Sequence, residues 1–398
     1  MDCCGCDEPI RNWQHHCLQY NKPGHQFYTS SAELVYFYPH TPVQEMEKAI
    51  IITNGLLAES DAKTAHGLLR ESRRYEIVGV VDKVHAGKDA GEVLDGKHRN
   101  IPVFATVHAA LAAQPVYCIV GVATVGGLFP GDLLDQVKLA IQQGLSIVNG
   151  LHDHLSQRPE IKKLAEENGV ELIDIRLPKK RKDLHFWSGK ILQLKTPVIA
   201  VIGTDCALGK RTTARLVMNE CQAAGINAQM IYTGQTGWLQ GGKYGFIFDS
   251  TLNDFVSGEL EHAILSCNEE TKADCILLEG QSALRNPSGP CGSEMLVSGN
   301  AKSVILVHAP KRKYYEHDPA WGPIHSIESE IALVAHYGAA VIALALNTEH
   351  CSPEEALAFQ AEYETSTRLP VMLPLQEGCG KIIPVLQHLI ASDKPTAE

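Results

Sequence analysis

The feature that most limits what this chain can fold into is the stretch VIAVIGTDCALGKRTTARLV, residues 198–217. Its opening apolar, β-branched run reads as a strand buried on both faces, which belongs in a parallel sheet covered by helices. Two glycines and a lysine follow, and then a helical pattern from about Arg211 to Ala224 that stops at Gly225. That order brings the backbone N–H groups of Gly203, Thr204, Asp205, Cys206, Ala207, Leu208 and Gly209 to the positive end of a helix, as a phosphate site requires. Gly209 lets the backbone approach closely, and Lys210 can reach over the loop to a terminal phosphate. Five residues separate Gly203 from Gly209, one more than the usual spacing, and Arg211 stands where a magnesium-binding hydroxyl normally follows the lysine. Thr212 and Thr213 come next and are the alternative hydroxyls.

Around this loop the chain alternates strand and helix signals in two blocks. In the first, residues 49–55, 77–82, 118–123 and 145–151 are short apolar runs, separated by helical patterns at about 61–74, 106–113 and 131–143. The expectation is an α/β protein of two doubly wound, mostly parallel sheets, Rossmann-like and then P-loop NTPase-like. Its expected divisions are an extension at 1–45, a Rossmann-like domain at 46–177, a linker at 178–195, a P-loop domain at 196–392 and a tail at 393–398. Asp82 ends the second strand, where a dinucleotide fold places its ribose-binding acid, but the first turn, TNGLLAES, has one glycine and no G-x-G-x-x-G. The loop GVATVGGLFPGD (121–132) offers N–H groups to an anion or merely needs positive φ angles. The basic run in RLPKKRKDLHFWSGKI (176–191) reads as a solvated linker.

Later strand ends carry further candidates. Glu279 leads an EGQ turn at the end of CILLE and suits a general base, a metal ligand or a buried structural acid. Gln281 and Arg285 follow it, and an arginine near a base suits a dicarboxylate substrate, the alternative being a surface ion pair. His308 ends SVILVH beside Lys311, Arg312 and Lys313, as a second acid/base or as a neutral, hydrogen-bonded histidine. Asn347 and Thr348 end AVIALALN, where a nucleotide base would be read. Ser352, Pro353 and Glu355 then form a capping box. Asp254 and Glu259 lie in an amphipathic stretch, with a helix-end or supporting role, or direct substrate contact, open to both.

The loop GTDCALGKRTT resembles that of the dethiobiotin synthetase branch of P-loop proteins, and CILLEGQ resembles the glutamate strand of that branch. A broader pattern adds GQTGWLQG (234–241), NDFVSGELE (253–261), LLEGQSALRNP (277–287), HAPKR (308–312) and ALNTEHCSPEEA (345–356). Over about residues 46–390 it is similar to a family with a Rossmann-like first half and a P-loop second half that includes the D-glutamate N-acetyltransferases. The resemblance implies acetyl transfer from acetyl-CoA to an acidic amino acid, with the loop holding the nucleotide part of the donor. The expected substrate contacts are Gln235, Asp254, Gln281, Arg285 and Arg312, and Glu279 or His308 is the expected acid/base. A loop flanked by Lys210 and Arg211 suits metal-free phosphates such as those of coenzyme A. The alternatives are an ATP-dependent ligase or kinase, with magnesium on Glu279, and a non-enzymatic nucleotide sensor.

Composition narrows the partners. A net charge of -11 disfavours nucleic acid, and no apolar run approaches the ~18 residues of a membrane span. Cys118, Cys221 and Cys275 sit singly in apolar contexts and read as buried thiols rather than a disulfide framework. Cys3, Cys4, Cys6, His15, His16 and Cys17 are possible zinc ligands, but they lack paired C-x₂-C spacing and equally fit a poorly packed appendage or an early start codon. The start lacks a basic region followed by an apolar core, so the expectation is a cytoplasmic protein, with a homo-oligomer as its expected assembly.

Overall fold

The computed structural model describes residues 46–393; the cysteine- and histidine-rich start lies outside the described residues. Twelve strands form two six-stranded sheets, all parallel. The first contains β1 (Glu47–Ile52), β2 (Tyr75–Val81), β3 (Val103–Phe104), β4 (Tyr117–Val120), β5 (Ser146–Asn149) and β6 (Leu172–Asp174), in the order β3-β2-β1-β4-β5-β6. Its helices are α1 (Lys63–Arg70), α2 (Ala90–Asp95), α3 (Val107–Ala110), α4 (Gly131–Gln142) and α5 (Pro159–Asn168). The second contains β7 (Val198–Gly203), β8 (Ala228–Ile231), β9 (Cys275–Glu279), β10 (Ser303–His308), β11 (Ala340–Leu346) and β12 (Val371–Met372), in the order β12-β11-β10-β7-β9-β8. Around it lie α6 (Lys210–Ala223), α7 (Gln235–Leu239), α8 (Asn253–Thr271), α9 (Ser293–Val297), α10 (Ile327–His336), α11 (Pro353–Thr367) and α12 (Ile383–Asp393).

Both sheets grow outward from a central strand of continuous apolar residues. Ala49 to Ile52 on β1 and Ile199 to Val201 on β7 have no exposed surface, because helices cover both faces. Strand ends differ from expectation where apolar residues run on into turns: the 49–55 run leaves the sheet at Ile52, and the 118–123 run at Val120. The edge strands β3 and β6 were not expected from the sequence; two and three residues are too few for a periodic signal. The 61–74 helix shortens to α1 after a 3₁₀ turn at Ser60–Ala62. The capping box forms as its residues suggest, with Ser352 accepting from Glu355 N at the start of α11.

Between β6 and β7 the basic segment is exposed at Lys180 to Lys182 but anchored from below. Buried Glu259 accepts from Lys179 Nζ (2.6 Å) and His185 N (2.9 Å), and buried Glu261 accepts from Ile191 N (3.1 Å). The two halves also meet directly. Thr64 and Thr236 share a 3.1 Å hydroxyl contact, Gln240 donates to Gly67 O (2.8 Å), and Arg74 lies 4.0 Å over the Trp238 ring. Arg176 forks onto Asp249 (3.1 and 2.7 Å). Among the described residues no helix is long and apolar enough to cross a membrane.

Candidate functional site

The phosphate loop is assembled by groups from four separate stretches of chain. Thr204 donates its N–H to Val307 O (3.0 Å), and its hydroxyl meets His308 Nδ1 (2.9 Å). Asp205 is buried and accepts from Asn286 Nδ2 (2.8 Å), Arg312 Nη1 (2.9 Å) and Glu316 N (2.9 Å). Arg312 also donates to Cys206 O (2.7 Å), and Asn347 Nδ2 to Leu208 O (3.2 Å). With these anchors, Ala207 (φ 51°) and Gly209 (φ 89°) take left-handed conformations, the kind of backbone from which anion-binding concavities are built. Lys210 begins α6 and lies back over the loop, with Nζ on Asp205 O (2.7 Å). Burial pulls this amine down to about 8.

Glu279 closes β9 one strand away, paired in register with Val201 of β7. Its carboxylate accepts from Thr233 N (3.1 Å) and is buried. Burial raises its proton affinity, against the opposing pull of Arg211, the N–H groups of Thr233 and Gly234, and Lys210. Gln281 steadies the same turn by donating to Thr233 Oγ1 (2.8 Å). Cys206 to Thr213 of the loop, Glu279, Gln281, Gln235, Asn347 and Thr348 all line one cleft of about 430 Å³.

The other candidates fall elsewhere. His308 does not line the cleft; it is enclosed between Thr204 and Tyr363, and burial with Arg312 nearby lowers its pKa to about 4. The neutral form is thereby favoured, and the ring meets Thr204 of the loop rather than lining the cleft. Arg312 lies behind the loop between Asp205 and Glu349 (2.7 Å), a support rather than a substrate contact. Arg285 donates to Ser329 Oγ (2.7 Å) and approaches Glu330 (3.4 Å), which ties it to α10. Asp254 is exposed in the first turn of α8 and does not line the cleft. Asp82, the ribose candidate, is consumed by its own surroundings: Thr53 Oγ1 (2.7 Å), Leu57 N (3.0 Å), Val84 N (3.0 Å) and the His85 ring (3.0 Å). In the 121–132 loop, Gly126 and Gly127 take positive φ (65° and 68°), and the loop does not line the cleft.

What inspection of single motifs missed is the opposite wall. Lys63, His66 and Arg70 of α1, with Arg176 after β6, line the cleft from the first half of the molecule. A signal was present in KTAHGLLR: Lys63, Gly67 and Arg70 recur at helical spacing on one face. Gly67 lets the halves approach, since a Cβ there would lie 2.7 Å from Thr236 Cγ2 and 2.8 Å from Arg211 Nη2. The cleft therefore gathers Lys63, Arg70, Arg176, Lys210 and Arg211 around two acids, Glu279 and Asp249, in a chain of net charge -11. Such focused positive charge suits anionic ligands.

Comparison with known proteins finds a Rossmann-like domain followed by a P-loop domain. Residues 83–178 match the Rossmann-like domain of the family of unknown function DUF1611, and residues 185–383 match its P-loop domain. A D-glutamate N-acetyltransferase from Tritonibacter scottomollicae is 29% identical over 287 residues, 71% of this chain and 84% of that protein. One of the same name from a Pseudoalteromonas species is 29% identical over 276 residues, 67% of this chain and 79% of its own. The crystal structure of a DUF1611 family protein from Anabaena variabilis superposes with a TM-score of 0.78 at 27% identity, covering 87% of this chain and 99% of that one.

Proposed function

Because the chain belongs to the DUF1611 family, we propose that it is an N-acyltransferase that moves an acetyl group from acetyl-CoA to the amine of an acidic amino acid of the D-glutamate type. The observation that carries this reading is one cleft holding a phosphate loop whose lysine is followed by Arg211, beside a buried carboxyl, Glu279, whose proton affinity is raised. The loop N–H groups and Lys210 bind phosphate of the donor. Glu279 takes a proton from the substrate ammonium; the freed amine attacks the thioester carbonyl, the new C–N bond forms, and the C–S bond breaks. The second proton leaves the acylated nitrogen for the departing coenzyme A thiolate, and Glu279 releases the first to solvent, so that amide, thiol and one proton result. A base held above the ordinary carboxylate range is better matched to an ammonium than an exposed one.

Magnesium, the usual companion of such loops, is poorly matched by these residues. Arg211 is cationic where the hydroxyl ligand belongs, and Glu279 is held by Thr233 N with Arg211 and Lys210 nearby. Among the described residues, the cluster with metal-like spacing is Asp205, Cys206 and Glu316, in which Asp205 already accepts three hydrogen bonds. The second reading, a Mg-ATP ligase or kinase, keeps one observation in its favour: Glu279 stands at the strand end where a magnesium-associated acid belongs. Calorimetry separates the two. We expect acetyl-CoA to bind without metal and Lys210→Ala to weaken it by about a hundredfold; binding of ATP alone, and only with magnesium, would overturn the transferase reading.

A further inference from the structure

The first half of the molecule does more than cover the cleft. Arg211 extends across the junction, with Nη2 against Gly67 of α1, while its Nε is buried with no acceptor among protein atoms. Its charged surroundings are Glu279, Arg215 and Arg70. Arg215 is neutralised by Glu71 (2.9 Å), whereas Arg70 has only Asp95 at 3.9 Å, beyond hydrogen-bond reach. His66 lies between Arg70 and Arg211, its ring occupied by Leu57 O (2.7 Å) and its pKa lowered by burial. Arg211, next to Glu279, and Arg70, which lines the same cleft, thus each lack a carboxylate in hydrogen-bonding range among the described residues.

We infer that Arg70 of the Rossmann-like half and Arg211 of the P-loop half together bind the carboxylates of the amino-acid acceptor. This assignment rests on the acyl-transfer reading and adds the acceptor's binding groups to it. The amine must reach Glu279 to lose its proton, which brings the carboxylate on the same carbon toward Arg211, while the side-chain carboxylate extends into the cleft that Arg70 lines. Arginine forks match carboxylates with two parallel N–H···O bonds, and one acidic substrate offers two such groups. The donor's phosphate has its own partners in the loop N–H groups and in Lys210, whose amine folds back onto Asp205 O. Acidic-substrate selectivity then arises at the domain junction rather than from Asp254, Arg285 or Arg312.

The test is steady-state kinetics with both substrates varied, on wild type, Arg70→Gln, Arg70→Lys and Arg211→Gln. Arg70 is exposed at the end of α1, so its variants should retain the wild-type thermal unfolding profile. We expect the KM for D-glutamate to rise about ten- to a hundredfold in Arg70→Gln and Arg211→Gln, with partial rescue in Arg70→Lys and the acetyl-CoA KM within about twofold of wild type. A rise confined to the acetyl-CoA KM would assign these arginines to the donor and overturn the inference. If wild type acetylates no amino acid, it is the acyl-transfer reading that fails, and calorimetry with glutarate decides the subsite. Binding to wild type that Arg70→Gln loses upholds it; no binding, or equal binding to both, overturns it.

Discussion

The turns after β1 and β7 occupy equivalent places in two parallel sheets, each leaving a central buried strand and leading toward a helix. After β1, the acid that a nucleotide would meet, Asp82, spends its oxygens on Thr53, Leu57, Val84 and His85, so that turn is closed by its own protein. After β7, Asp205 is equally occupied, but it is held from behind by Arg312 and Asn286, which leaves the loop face beneath Lys210 turned to the cleft. The same architecture thus once closes on its own polar groups and once leaves a loop open to the cleft. Where the polar groups find their hydrogen bonds decides which, not the fold.

Three measurements would break or sharpen this contrast. The largest effect belongs to Glu279→Gln, which should lower kcat by about 10²–10⁴-fold while leaving acetyl-CoA affinity near wild type. Because burial raises the Glu279 pKa, wild-type activity should rise with pH through that elevated value as the base form appears. The stability sign is opposite. A raised folded-state pKa favours the protonated fold, so the advantage is full at low pH and fades as pH climbs through the folded value, a dependence the glutamine variant should lack. A pH-independent wild-type rate would remove Glu279 from the chemistry.

Asp82→Ala should do the reverse, destabilising the fold by about 2–3 kcal/mol by leaving several buried donors unpaired, with ligand affinity little changed. The Asp82 pKa is lowered; burial raises it, but the hydrogen bonds from Thr53, Leu57 and His85 outweigh that. Its contribution is present above the unfolded-state value and should be lost as pH falls through the folded one, which chemical denaturation at a series of pH values would reveal. Loss of acetyl-CoA binding in this variant would show that the first turn does more than close on its own polar groups.

The smallest effect is expected from Gly67→Ala. Alanine favours a helix by roughly 1 kcal/mol, yet the added methyl must displace Thr236 or Arg211. Kinetics should show the acceptor KM rising about three- to tenfold with unfolding temperature nearly unchanged. An unchanged acceptor KM would mean that the position of Arg211 does not matter to the acceptor.

Much of this was legible before any tertiary contact was known. The loop from Gly203 to Thr213 is one contiguous stretch whose strand, turn and helix signals are local, and Glu279 stands at a strand end that its apolar run marks. Asn347 also lies where its strand predicted, though its amide holds Leu208 O. His308, Arg312 and Arg285 have the residue types and strand-end positions of catalytic groups, and nothing local distinguishes a cation that faces a cleft from one that braces a loop.

The sequence by itself determined the two α/β halves, the phosphate loop with a cation in place of its hydroxyl, and the acid at the end of β9, because each depends on neighbours a few residues away. Tertiary structure alone decided that His308 is enclosed, that Arg312 turns behind the loop, and that Lys63, Arg70 and Arg176 form the facing wall. Contacts such as Arg215 with Glu71 or Thr64 with Thr236 span 144 and 172 residues of chain, and no local pattern records which distant surface a side chain will meet. Burial and partner, rather than residue type, then set whether each charge binds a ligand or holds the fold.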